Sequence, residues 1–213
     1  MSASIVANAT GRERRKRYNS LLKEQGIKYK ERERIVSNLA VKPIEELEKE
    51  LEAIYQKHME KVGVFSFAGD PKSILMWSHY ARDHSGISFQ FEVARDFSTL
   101  SRALHVEYSS EYPEVNWVNG FSDSLGKVLL RKHEGWFYEM EQRIVMVGDA
   151  HKYLEFDPQA LVGIILGCRI TAETRAIIAK LLEERHCAKM PPIRQYFAQQ
   201  HKSRYKLSVI VDR

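Results

Sequence analysis

The chain is poor in cysteine, proline and glycine, with 2, 6 and 11 of them in 213 residues. Cys168 and Cys187 have no second pair beside them, which excludes a disulfide framework and leaves no zinc-ligand spacing, so no metal site is expected. Cys168 closes an apolar run after Gly167 and Cys187 falls in a helical pattern, so both read as buried or partly buried free thiols. No apolar run approaches the roughly 20 residues of a membrane span, and the N-terminus lacks the apolar core of a secretory signal. Both absences point to a cytoplasmic protein with no membrane partner. Acidic residues are missing altogether between Glu184 and Asp212, where Arg185, Lys189, Arg194, Lys202, Arg204 and Lys206 stand. That segment has nothing of its own to neutralise it. The Arg12-to-Arg34 stretch is also basic, but Glu13, Glu24, Glu31 and Glu33 partly neutralise it and it reads first as a solvated helical face. The C-terminal segment is therefore the better candidate for a nucleotide or nucleic acid to be met by cations.

What is present is ordinary globular composition, 44% hydrophobic and 29% charged with a net charge of +5, long enough to bury one sizeable core. The pattern predicts an α+β fold, a mixed sheet of about five or six strands flanked by helices. Residues 1–60 read as a basic helical N-terminal arm and 61–213 as the α+β domain. Within the arm, Pro43 opens a helix whose Ile44, Leu47, Leu51, Ile54 and Tyr55 recur at three and four. Val62 to Phe67 then alternates as a strand. Pro71 suits a first helical position, with Ile74, Leu75, Trp77 and Ala81 at helical spacing behind it. Gly86 breaks that helix, and Ile87, Phe89 and Phe91 share one face of the next strand. His105 to Tyr108 reads as a further strand, Phe121 to Lys132 as a helix, Tyr153 to Phe156 as a short strand, and Leu161 to Leu166 as a buried one closed by Gly167. Thr171 caps a helix that buries Ile177, Ile178, Leu181 and Leu182, and Lys206 to Val211 is the last strand. Trp77, Trp136 and Phe137 are expected in the core.

Two constellations carry chemistry. Ser78, His79, Tyr80 and His84 fall at the helix-to-strand corner, where imidazoles can seat a phosphate or move a proton near neutral pH; the bland alternative is a packed tyrosine with histidines capping the turn. Glu139, Glu141 and Arg143 form the second, and share a face if the strand through Val147 begins early enough. Paired carboxylates beside an arginine can be tuned apart, leaving one to polarise a hydroxyl or steady a cationic transition state; the bland alternative is a solvated strand edge. The two stretches are expected to share a site. In it Glu139, Glu141 and His79 are the catalytic candidates, and Ser78, Tyr80, His84, Arg143 and Trp136 the ligand-binding ones.

Met76-Trp77-Ser78-His79-Tyr80-Ala81 with His84 and Gly86, then Trp136 and Tyr138-Glu139-x-Glu141-x-Arg143, then Ile164-Ile165-Leu166-Gly167 before a helix, resembles the bacterial family known as domain of unknown function 2971. The resemblance spans roughly Val64 to Val211. It implies a front strand followed by a Phe-Asn-Asp-Pro-Phe block, which is not visible upstream of Val64, and it supplies no established chemistry, cofactor or substrate. Glu-x-Glu leading into a strand is also similar to the acidic motif of ADP-ribosyltransferases, where a glutamate stabilises the oxocarbenium-like ribose of NAD. Two functional readings follow. One is an enzyme acting on a nucleotide or a nucleic-acid end, ADP-ribosyltransferase-like. The other is a non-catalytic nucleic-acid- or protein-binding module of the kind associated with phage defence or mobile elements.

Overall fold

The computed structural model describes residues 11–24, 26–41, 44–113 and 121–211. In chain order these form α1 (Gly11–Glu24), α2 (Tyr29–Val41), α3 (Ile44–Met59), β1 (Val62–Phe67), α4 (Ile74–Tyr80), β2 (Ile87–Phe91), α5 (Phe97–Leu100), β3 (Leu104–His105), β4 (Glu107–Ser109), α6 (Phe121–Leu129), β5 (Arg131–His133), β6 (Gln142–Val147), β7 (Leu161–Leu166), α7 (Ala172–Cys187), β8 (Arg194–Gln200) and β9 (Leu207–Val211). The α+β class therefore stands, with more strands than the pattern suggested. No helix among the described residues is long and apolar enough to cross a membrane.

The chain divides into two compact units. One comprises Met1–Gly63, Ser109–His133 and Met146–Ala150; the other comprises Val64–Tyr108, Glu134–Val145 and His151–Arg213. In the first, α1 and α2 run antiparallel: Arg15 donates to the Ser37 hydroxyl at 3.2 Å and Asn19 to Glu33 at 3.4 Å. Val36, Tyr55, Leu125, Val128 and Leu129 are buried there. Pro43 lies outside the described residues.

The second unit is built on a four-stranded sheet of order β2-β7-β8-β9; a three-stranded sheet has the order β1-β6-β3. β7 pairs antiparallel with β2 and parallel with β8, and β8 pairs antiparallel with β9. Since successive side chains on a strand alternate faces, β7 feeds two separate cores. Ile165 packs with Trp77 of α4, Ala198 and Leu207, whereas Ile164 and Leu166 pack with Ile178 of α7. The result is a central strand covered on both sides. This explains the unbroken apolar run that marks it in sequence.

Several expectations need correction. α4 begins after Ser73, whose hydroxyl accepts from Met76 N, while Asp70 instead accepts from Lys72 N in a turn before it. Reversal into β2 is made by Arg82, Asp83 and His84, all with positive φ (49°, 51° and 67°), and not by Gly86. The 153–156 segment forms no strand; Tyr153 is fully exposed and has nothing to pack against. β8 was not anticipated, because its Arg194, Gln195, Gln199 and Gln200 hide a short apolar stretch. α6 stops at Leu129, and a two-part pairing segment interrupted at Val106 replaces the single strand 105–108. On α7 Ile178 is buried but Ile177 and Leu181 are half exposed, and Cys187 is exposed as well. Trp77 is core, while Trp136 and Phe137 are exposed.

Candidate functional site

The Ser78-to-His84 corner and the Tyr138-to-Arg143 segment come together within the second unit. The Tyr80 hydroxyl donates to Glu139 Oε1 at 2.8 Å, across 59 residues of sequence. Glu139 is not on the strand: Glu134–Glu139 is a 3-10 turn, and β6 begins only at Gln142. Of Glu139, Glu141 and Arg143, expected on one strand face, only Arg143 lies on the strand; Glu141 immediately precedes it and meets Arg143 side chain to side chain. Met140, at φ 46°, makes the break. Its backbone is crowded by Gly69, where an added Cβ would lie 2.7 Å from Met140 Cβ, and Gly69 N donates to the Glu139 carbonyl at 3.2 Å. Only glycine fits that approach.

Glu139 and Glu141 are both buried, at 3% and 7% exposure, but their carboxylates are used differently. Arg143 grips Glu141 through both oxygens, Nε to Oε1 at 2.8 Å and a terminal nitrogen to Oε2 at 2.9 Å. The Glu141 backbone is held too, its N–H donating to the Tyr108 hydroxyl at 2.8 Å and its carbonyl accepting from Val106 N at 3.0 Å. Such a bidentate pair on a stitched backbone is an anchor. Glu139 accepts from a phenol, the Tyr80 hydroxyl. Around Tyr80 stand aromatic rings: His79 lies 6.4 Å from Tyr80, 6.3 Å from Trp136 and 6.3 Å from Tyr138, centroid to centroid, and Trp136 lies 6.0 Å from Tyr138. His79, Tyr80 and Trp136 are exposed.

Ser78 and His84 turn the other way. His84 is 4% exposed, with Nε2 3.1 Å from the Ser78 hydroxyl and Nδ1 buried without a hydrogen-bond partner among the described residues. Its backbone is clamped, N–H to the Trp77 carbonyl at 3.1 Å and carbonyl to Arg169 N at 3.0 Å. Three consecutive left-handed residues and a fourth at Met140 flank the Tyr80–Glu139 contact; such backbone persists only where its surroundings enforce it, and it gathers at functional sites. No three His, Cys, Asp or Glu side chains among the described residues come together as metal ligands.

Comparison with known proteins adds a resemblance over part of the chain and no activity. Residues 76–144 match the family described as "Protein of unknown function (DUF2971)". No curated protein and no solved structure matches the chain. The matched stretch contains both halves of the site, from α4 to Arg143. Tyr108 and Met140 escaped the sequence reading as site residues, while Tyr138 entered it only within the motif: the aromatic density after Gly135 was visible, but nothing in a linear pattern marks the left-handed Met140 that ends the turn.

Proposed function

We propose that the chain is an enzyme acting on a nucleotide, with Glu139 as the working carboxylate and the exposed rings of His79, Tyr80 and Trp136 as the wall against which the base or ribose lies. The observation that carries this reading is the hydrogen bond from the Tyr80 hydroxyl to a buried glutamate, beside aromatic rings that remain open to solvent. Burial strengthens any interaction of that carboxylate with charge developing on a ligand. A phenol donor keeps one oxygen oriented. Glu141 is assigned away from catalysis, because its two oxygens are already taken by Arg143. In an ADP-ribosyltransferase-like step, nicotinamide would leave NAD with the electrons of the glycosidic bond, and Glu139, oriented by Tyr80, would stabilise the cationic ribose. Water would add to the ribose carbon and release its proton to solvent.

Release of nicotinamide from NAD, measured on folded wild type, Glu139→Gln and Tyr80→Phe, tests this. Glu139→Gln should lower turnover by on the order of a hundredfold or more and Tyr80→Phe by less, since the first removes the charge and the second only its orientation. Turnover unchanged in Glu139→Gln, with an unaltered circular dichroism spectrum, would refute the assignment. Wild type inactive on NAD and on other nucleotides would count against the enzyme reading as a whole.

A further inference from the structure

The hairpin joining β8 to β9 is the other place where chemistry is gathered without an assigned use. Its last ladder pair is Gln200 with Leu207, and beyond it lie His201-Lys202-Ser203-Arg204-Tyr205-Lys206. The turn has internal structure: His201 N donates to the Lys206 carbonyl at 2.9 Å, Lys206 N to the Arg204 carbonyl at 2.8 Å, and Ser203 N to His201 Nδ1 at 3.2 Å. On this frame Lys202, Arg204 and Lys206 are exposed. Their side chains form no ion pair or hydrogen bond among the described residues, unlike Arg143 with Glu141, Arg169 with Asp83 or Arg95 with Glu92. Nothing acidic lies between Glu184 and Asp212 to neutralise them. Between the last two cations Tyr205 is 103% exposed, a ring with no protein surface against either face. Cations alternating with an open aromatic ring suit a flexible polyanion whose bases can be stacked, which is single-stranded nucleic acid. A lipid headgroup surface would use the charges but leave the ring's stacking faces idle.

Its position matters as much as its composition. β7 and β8 are parallel with Leu166 opposite Phe197, so β8 runs three residues past the end of β7, roughly 10 Å. Ile87 pairs with Leu166, which brings the turn from Arg82 to Gly86, and the end of α4 that leads into it, to that same end of the sheet. Arg169, bonded through its N–H to the His84 carbonyl, lies there too. The tip therefore projects from the end of the sheet to which Ser78, His79 and Tyr80 lead.

We infer that this tip holds the backbone of a single-stranded nucleic acid whose terminal nucleotide is the one offered to Glu139; only the second half of that statement rests on the nucleotide reading above. Fluorescence anisotropy with a labelled single-stranded oligonucleotide of roughly 12 residues, a length sufficient for one such surface, tests the first half at about 50 and 200 mM salt. Wild type should bind with a log-log salt slope near −2, about −0.7 for each of three phosphate contacts on a single strand. Replacing Lys202, Arg204 and Lys206 together by Ser should remove most of that slope. Tyr205→Ala should weaken binding by roughly 5- to 100-fold with the slope retained, the loss of one stacked base. No binding at low salt, or binding indifferent to the triple replacement, would overturn the proposal. Attachment to anionic phospholipid vesicles without oligonucleotide binding would overturn it in favour of a membrane surface. Free-nucleotide turnover should be unchanged in the tip variants. If strand binding fails while turnover persists, the tip alone is refuted; if turnover fails in every protein while strand binding persists, it is the Glu139 reading and the terminal-nucleotide half that fall.

Discussion

Glu139 and Glu141 stand two residues apart with the same functional group: the Tyr80 hydroxyl donates to the first, and Arg143 grips both oxygens of the second. Read as a solvated strand edge, Glu141 would tolerate neutralisation at a cost of about 0 to 1 kcal/mol. Its side chain and that of Arg143 are instead 8% and 12% exposed. Removing one partner of a buried pair is far more costly than removing both, because it strands the other charge. Arg143→Met should therefore cost about 3 kcal/mol or more, and the double replacement Glu141→Gln with Arg143→Met should recover part of it. Urea midpoints of the two variants decide this; a single replacement as stable as wild type would mean that the pair is not an anchor. The Glu-x-Glu-x-Arg spacing was legible in the sequence. The bidentate grip on Glu141 depends on where the strand starts, and that is set by Met140 and its contact with Gly69.

At the scale of elements, caps decide the joints around the site. Asp96 is buried and caps α5 through Thr99 N at 3.2 Å, while its other oxygen accepts from Asp157 N at 2.9 Å, tying down the turn before β7. The hydrogen bond from Asp157 N, with those from Ser98 and Thr99, holds the Asp96 carboxyl below its ordinary value against the opposing effect of burial. A depressed folded value means that this stabilisation is complete above the unfolded value near 4 and is lost as pH falls through the folded one. Thermal unfolding followed from pH 7 down to pH 3 should show an acid limb that flattens in Asp96→Asn; an unchanged limb would show that other carboxylates govern it. Gly167 is the second joint. A Cβ there would sit 2.1 Å from the His84 carbonyl oxygen, a backbone atom that cannot swing aside. Gly167→Ala should lower the melting temperature and displace the left-handed turn, and a wild-type melting curve would contradict that. Thr171, by contrast, was recognisable as a cap from its neighbours alone, since its hydroxyl needs only Thr174 N three residues on.

For the whole molecule, the two-sided burial of β7 is the feature on which the second unit depends. Ile165 is fully buried among Trp77, Ala198 and Leu207, so Ile165→Ala should cost about 2 to 5 kcal/mol, from lost transfer energy and the cavity left behind. Denaturant unfolding measures it, and a cost under about 1 kcal/mol would mean the core collapses to fill the gap. The two thiols report on the surface in the same way. Burial pushes the Cys168 thiol up, its own backbone hydrogen bond and the neighbouring Arg169 only partly offsetting it, whereas Cys187 lies exposed on α7. Labelling with a thiol reagent at neutral pH should show a fast phase that disappears in Cys187→Ser and a slow one that disappears in Cys168→Ser.

Local rules were sufficient wherever the deciding partners lie within a few residues. The alternation of Val62 to Phe67, the apolar run Leu161 to Leu166, the cap at Thr171 and the helical stripe before Tyr80 are all short-range patterns, and each became the element expected. Long-range pairing decided the rest. β8 is a strand because β7 and β9 supply hydrogen bonds on both of its edges, not because Arg194 to Gln200 favours extension. Trp136 and Phe137 stay exposed because a 3-10 turn carries them where a strand would have buried alternate side chains. The amino-acid order alone put Tyr80 and Glu139 in two dense polar stretches; only folding across a separation of 59 residues brought a hydroxyl within 2.8 Å of one carboxylate while an arginine took the other, because hydrogen bonds act at contact distance and contact between remote segments is decided by the packing of the whole unit.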